Sequence, residues 1–133
     1  MRYPMPNFPC EFEIPDDWLS EAGMAGFVRS GTAYRSTAGA TLVPLREIEP
    51  PYRKPAMALD WRGFERARLV SILKGFVSGA EIDAVPLVEL PAGTFVVPTF
   101  VPKGPYSYQV RNGYHRFYAS IVAGFEALPG TVS

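Results

Sequence analysis

Residues 111–129 read RNGYHRFYASIVAGFEALP. Asn112 is a residue type favoured at helix N-caps, and Gly113 lets the backbone turn tightly or approach a ligand closely. A helix over residues 113–123 is predicted, with Gly124 just past its end, where a left-handed residue stops the spiral. Phe125–Val132 then reads as a short final strand. A helix opened in this way presents first-turn amides outward, and its dipole adds partial positive charge there. His115 and Arg116 fall in that turn, where acids are preferred, and the mismatch costs about 0.3–1 kcal/mol per charge. A bound anion would reverse the sign of that term. Amides, a guanidinium and an imidazole converging on one point make a phosphate cradle. The plainer alternative is that Arg116 covers surface and His115 satisfies a local hydrogen bond.

Upstream, the chain is cut into short elements by 14 prolines and 12 glycines. Thr41-Leu42-Val43-Pro44-Leu45 is a short β-type run, followed by Arg46–Glu49 and a Pro50-Pro51 turn. Residues 62–77 carry the strongest helical signal, with Leu69, Ile72, Leu73 and Phe76 at 3.6-residue spacing as one buried stripe. Val85–Leu90, Thr94–Val101 and Tyr106–Val110 read as further strands. Ahead of all these, Pro4, Pro6, Pro9 and Pro15 alternate with Phe8, Phe12 and Ile14, an extended aromatic arm with a short strand over Cys10–Ile14. Pro15-Asp16-Asp17 opens a short helix from Trp18 to about Met24, ended by Gly26. Residues 27–41 read as hairpin or loop. The expected fold class is α+β, a mixed α/β design with short strands.

Composition narrows the function classes. The chain has 133 residues, 47% hydrophobic and 14% aromatic, enough for one domain with its own core. Lys plus Arg number 13 and Asp plus Glu number 13, a balance that argues against gripping long nucleic acid by bulk charge. The neutral total hides an imbalance: residues 101–133 carry Lys103, Arg111 and Arg116 against Glu126 alone. One cysteine, Cys10, and one histidine, His115, exclude a zinc site of clustered Cys and His and a disulfide framework within one chain. A reducing, cytoplasmic setting is expected, with no membrane span and no secretory leader.

The same 111–129 stretch resembles the signature of the ParB/sulfiredoxin-like superfamily. There a strand leads into Gly-x-(His or Arg)-Arg-x-x-Ala, then a helix ending in Gly and a last strand. VPLREIEPPYR at 43–53 resembles the family's first strand and its Pro-rich stretch closed by Arg, and residues 63–88 resemble the helix and second strand that follow. The resemblance covers about 43–132, with an insertion near 91–105. It divides the chain into an N-terminal extension, 1–42, packed on a ParB/sulfiredoxin-like domain, 43–133. It implies that Asn112, Gly113, Tyr114, His115 and Arg116 form a phosphate turn. Arg68 and Ser71, three apart on one helical face beside the buried stripe, resemble a nucleotide-touching Lys and Ser in sulfiredoxins. Arg53 matches the Arg that closes the Pro-rich motif and faces the same cleft. A nucleotide such as ATP or CTP with Mg²⁺ is the cofactor the resemblance implies, and a homodimer is within its range.

The departures limit what is inherited. Sulfiredoxins place a reactive cysteine before the His-Arg pair, and chromosome-partition ParB proteins place a glutamate there; here the residue is Tyr114. Cys10 lies far off in the arm, and the chain is too short for an added DNA-reading domain. Among other candidates, adjacent Asp16 and Asp17 are read as helix-start acids. Asp60 or Glu65 could meet Mg²⁺ through water. Ser71 has no neighbouring His for a hydrolase triad. Tyr106, Tyr108, Tyr114, Phe117 and Tyr118 are base-stacking candidates, although aromatics at such spacing are more often core. The expectation is therefore a phosphorylated-ligand or nucleotide-binding domain, with phosphoryl transfer or nucleotide hydrolysis as its reaction class if catalytic. A protein-interaction module docking through the arm is the alternative, and a DNA-binding or nuclease role a weaker one.

Overall fold

Short apolar runs punctuated by proline and glycine become short strands, and the segments read as helices at 18–24, 62–77 and 113–123 become helices. A computed structural model describes residues 1–7, 10–37, 39–51, 61–90 and 106–132. Its elements in order are β1 (Arg2–Pro4), β2 (Glu11–Glu13), α1 (Asp16–Ala22), β3 (Thr41–Pro44), a 3₁₀ turn (Leu45–Glu47) and β4 (Ile48–Glu49). Then come α2 (Arg66–Ser78), β5 (Val85–Glu89), β6 (Tyr108–Val110), α3 (Tyr114–Val122) and β7 (Ala127–Val132). The fold class is α+β.

Five strands form a mixed sheet in the order β3-β7-β5-β6-β4. β7 lies between β3, to which it runs antiparallel, and β5, to which it runs parallel. Its first four residues are all buried, as expected of an inner strand covered on both faces. β5 alternates buried Val85 and Leu87 with half-buried neighbours. α3 packs on β7, α2 packs on α3, and α1 packs on α2. The α2 stripe holds at Leu69, Leu73 and Phe76, which are buried, whereas Ile72 is only partly covered.

Several boundaries differ from the sequence reading, each for a local reason. α1 starts directly after Pro15 and stops at Gly23, not Gly26, because Gly23 takes the left-handed conformation (φ 77°) and its amide returns to the Ser20 carbonyl. α2 begins at Arg66 rather than 62, since residues 61–64 close a tight Trp61–Phe64 bridge with Arg62 and Gly63 at positive φ. The strand expected over Cys10–Ile14 is β2, and it pairs with a strand, β1, that the proline-rich arm conceals. Residues 27–37 contain no strand. The strand expected over Thr94–Val101, and also Arg53, Asp60 and Lys103, lie outside the described residues.

The N-terminal hairpin is part of the core. Phe12 and Ile14 are buried, and the Phe12 ring meets Tyr118 edge-on at 5.0 Å and Phe64 at 5.9 Å. Phe64 and Tyr118 are themselves edge-to-face at 5.1 Å, an arrangement that aromatic quadrupoles favour. Arm, lead-in to α2 and α3 are thus fastened by one aromatic cluster. Asp16 and Asp17 are first-turn acids of α1, as read, and Asp17 pairs with Arg66 at 3.1 Å.

Candidate functional site

The turn into α3 is made by Gly113. Its φ of 122° and ψ of 32° suit glycine and little else. Gly113, not Asn112, is the N-cap: its carbonyl accepts the first helical bond from the Phe117 amide at 2.9 Å. No side chain caps this helix start. A Cβ on residue 113 would come within 3.0 Å of Val85 Cγ1 and 3.1 Å of Arg116 Nη2. The glycine therefore also makes room for Arg116 to pass under the turn.

Arg116 spends much of its guanidinium on the chain itself. Nη1 donates to the carbonyls of Asp83 (3.0 Å) and Ala84 (2.8 Å), and Nη2 makes a long bond to the Asn112 carbonyl (3.5 Å). Tyr34 Oη donates to the same Asp83 carbonyl at 2.7 Å. Burial pushes the Tyr34 hydroxyl up to about 12, with nearby Arg116 opposing the rise, so it stays a proton donor. The positive charge of Arg116 is thereby fixed in place against β5 rather than carried on a mobile arm.

His115 has a different partner. The backbone amide of Glu65, the N-cap of α2, donates to His115 Nε2 at 3.0 Å. Burial pushes the imidazole below its ordinary range, with the Glu65 carboxylate opposing and Arg68 reinforcing the shift. Its ring stands edge-on to Tyr114 at 5.0 Å and to Phe64 at 6.2 Å.

Between α2 and this turn opens a cavity of about 440 Å³, lined by Ala67, Arg68, Ser71 and Ile72 on one side and Asn112, Gly113, Tyr114, His115 and Arg116 on the other. Seven of the eight residues singled out from sequence meet here; the eighth, Arg53, lies outside the described residues. Arg68 and Ser71 are both exposed, on the face beside the buried stripe, and Arg68 Nε holds Glu65 Oε2 at 3.2 Å. The other stacking candidates lie elsewhere. Tyr106 is buried and donates to the Asn7 carbonyl (3.0 Å), Tyr118 donates to that of Pro51 (2.8 Å), and Phe117 is core. Tyr114 is the one aromatic of the lining.

Sequence reasoning missed Ala67 and the pocket role of Ile72, which had been assigned to the stripe. It also missed the carbonyls of Asp83 and Ala84 and the amide of Glu65. Backbone groups carry no residue-type signal, so nothing local could have marked them. A second cavity of about 260 Å³, at the far end of α2, is walled by Phe27, Tyr34, Phe76 and Phe125, and Arg35 is its single charged lining residue. It lacks the convergence of polar groups seen in the first.

Among the described residues no group of three or more His, Cys, Asp or Glu could hold a metal, and no helix is long and apolar enough to cross a membrane. Compared with known proteins, the chain matches no family model, no curated protein and no solved structure.

Proposed function

We propose that this chain binds a nucleotide or another phosphorylated small molecule in the cleft between α2 and the first turn of α3. One observation carries the reading: a single cavity gathers Arg68, Ser71 and the whole Asn112–Arg116 turn, which are remote in sequence. Its volume, about 440 Å³, is within the range of small-molecule sites. First-turn amides and Arg68 would hold phosphate, Ser71 would add a hydroxyl donor, and Ala67, Ile72 and the Tyr114 ring would flank the rest of the ligand. Arg116 contributes a fixed positive charge behind the turn. The ParB/sulfiredoxin-like relationship belongs to the same proposal, and the element order β3, α2, β5, β6, α3, β7 supports it.

If the bound nucleotide reacts, phosphoryl transfer or hydrolysis is the matching class, because positioning and charge do most of that work. Among the described residues the cavity lining contains no carboxylate. The described residues therefore do not fit a protein-held Mg²⁺, which would instead travel with the phosphates of ATP or CTP. The alternative of a docking arm over residues 1–15 finds less support, because Phe12 and Ile14 are already buried in the core.

Calorimetry with ATP, CTP, GTP, a nucleoside monophosphate and pyrophosphate, each with and without Mg²⁺, tests the proposal. Saturable binding that weakens in Arg68→Ala and Ser71→Ala is expected. No binding across the panel overturns it.

A further inference from the structure

We infer that His115 is a positioning residue: a neutral hydrogen-bond acceptor that ties the start of α2 to the start of α3 and releases them when it is protonated. The direction of the Glu65–His115 bond fixes the chemistry. A backbone amide can only donate, so Nε2 must present a lone pair. The neutral ring then carries its proton on Nδ1. An imidazolium has no lone pair to offer, and protonation would set N–H against N–H.

The surroundings make that protonated state unwelcome for a second reason. Glu65 is the N-cap of α2 and His115 is the second residue of α3, so the ring sits at the positive ends of two helix dipoles. The nearby charged groups on α2 are Glu65, which attracts a proton to the ring, and Arg68, which repels it; the two pair with each other at 3.2 Å. On α3, the Arg116 guanidinium is turned to the carbonyls of Asp83 and Ala84. The Tyr114 and Phe64 rings that flank the imidazole carry no charge at neutral pH. These are the charged and titratable neighbours among the described residues.

No side chain caps α2, so the acceptor for its N-cap amide comes from the other helix. The two helices so joined are the two walls of the cavity. Protonation would loosen the mouth of the site, and acid would weaken ligand binding through geometry. This is opposite in sign to a histidine that donates to phosphate, which would tighten binding as it gains charge. The tie itself needs no ligand; only its effect on affinity rests on the proposed function.

The chain has one histidine, so its imidazole signals are unambiguous. Nitrogen-15 NMR from pH 8 to pH 5 should find the Nδ1–H tautomer at neutral pH and a midpoint below the ordinary value of about 6.5. The Glu65 amide should shift and lose exchange protection with that same midpoint. His115→Gln keeps an acceptor without titrating. The unfolded chain binds the proton more readily than the folded one, so wild-type stability should fall as pH drops below about 6.5 and level off beneath the folded midpoint. That decline should be absent in His115→Gln. Pyrophosphate affinity, measured against His115→Gln to cancel the ligand's own ionisation, should weaken about three- to tenfold in the wild type between pH 7.5 and 5.5.

An Nε2–H tautomer at neutral pH or a Glu65 amide indifferent to the titration would overturn the tie, and tighter pyrophosphate binding in acid would overturn its effect on affinity. Absence of binding by pyrophosphate and by every nucleotide of the panel at every pH, with the NMR signature intact, would overturn the binding proposal and leave the tie standing.

Discussion

Arg116 Nη1, in the first turn of α3, holds the carbonyl of Ala84 at 2.8 Å, one residue before β5 begins. The side chain that looks most like a ligand-binding arm is thus also the bracket between the Asn112–Arg116 turn and the sheet. Arg116→Ala would take the guanidinium from the Ala84 carbonyl and leave the Asp83 carbonyl to Tyr34 Oη, and hydrogen bonds to a charged group contribute about 1.5–3 kcal/mol. A loss of that size is expected in urea unfolding, with part of it recovered in Arg116→Lys. Reduced ligand affinity in Arg116→Ala would therefore mix two effects, which is why Arg68 is the better probe of charge.

Arg68 has a 70% exposed side chain and, among the described residues, forms an ion pair with Glu65, the N-cap three residues earlier. Exposed pairs of this kind contribute little. Arg68→Ala should leave stability within about 0.5 kcal/mol of wild type. Nucleotide or pyrophosphate affinity should fall by about tenfold or more, the loss of one charge-assisted hydrogen bond to phosphate. Equal affinity in calorimetry would remove Arg68 from the site.

Gly113→Ala combines an unfavourable φ of 122° with contacts of 3.0–3.2 Å to Val85 and Arg116. Strain of this kind costs about 1–3 kcal/mol. Denaturant unfolding should show that loss. Gly124→Ala offers the comparison: its φ is also positive, at 83°, but nothing lies within 4 Å of the new Cβ, so its cost should be smaller.

Glu49, on the edge strand β4, is held above the usual carboxylate range by burial, with the bond from Gln109 (3.1 Å) opposing the rise. A carboxyl raised on folding favours the native state when protonated. Its penalty appears as pH rises from the unfolded value through the folded one. Glu49→Gln, which keeps an oxygen acceptor for Gln109, should therefore be more stable than wild type at pH 7. The advantage should vanish in acid, as thermal melts across pH 3.5–7 would record.

Periodicity carried the reading of α2, because Leu69, Leu73 and Phe76 repeat at helical spacing, and the Gly113 opening and Gly124 stop carried that of α3. Runs of apolar residues likewise marked β3, β5 and β7. β2 was legible but β1 and its pairing were hidden, because a three-residue strand is too short for an alternating pattern and the hairpin is held by contacts such as Phe12 with Tyr118. In the site, Gly113 and its basic neighbours were visible because the residue types themselves are informative. The roles of His115 and Arg116 were not, since their partners are backbone groups of Glu65, Asp83 and Ala84, tens of residues away.

The placement of β7 has a kinetic corollary. Among the described residues β3 meets the sheet only through β7, in a register that sets Thr41 opposite Gly130. A chain that has yet to dock residues 127–132 therefore holds β3 and the β5-β6-β4 ribbon as separate pieces. Loop-closure entropy across about two thirds of the chain must be met before β3 can pair with β7. Folding should be limited by this late insertion, and the Gly113 turn, which leads through α3 into β7, would acquire its final shape in the same step.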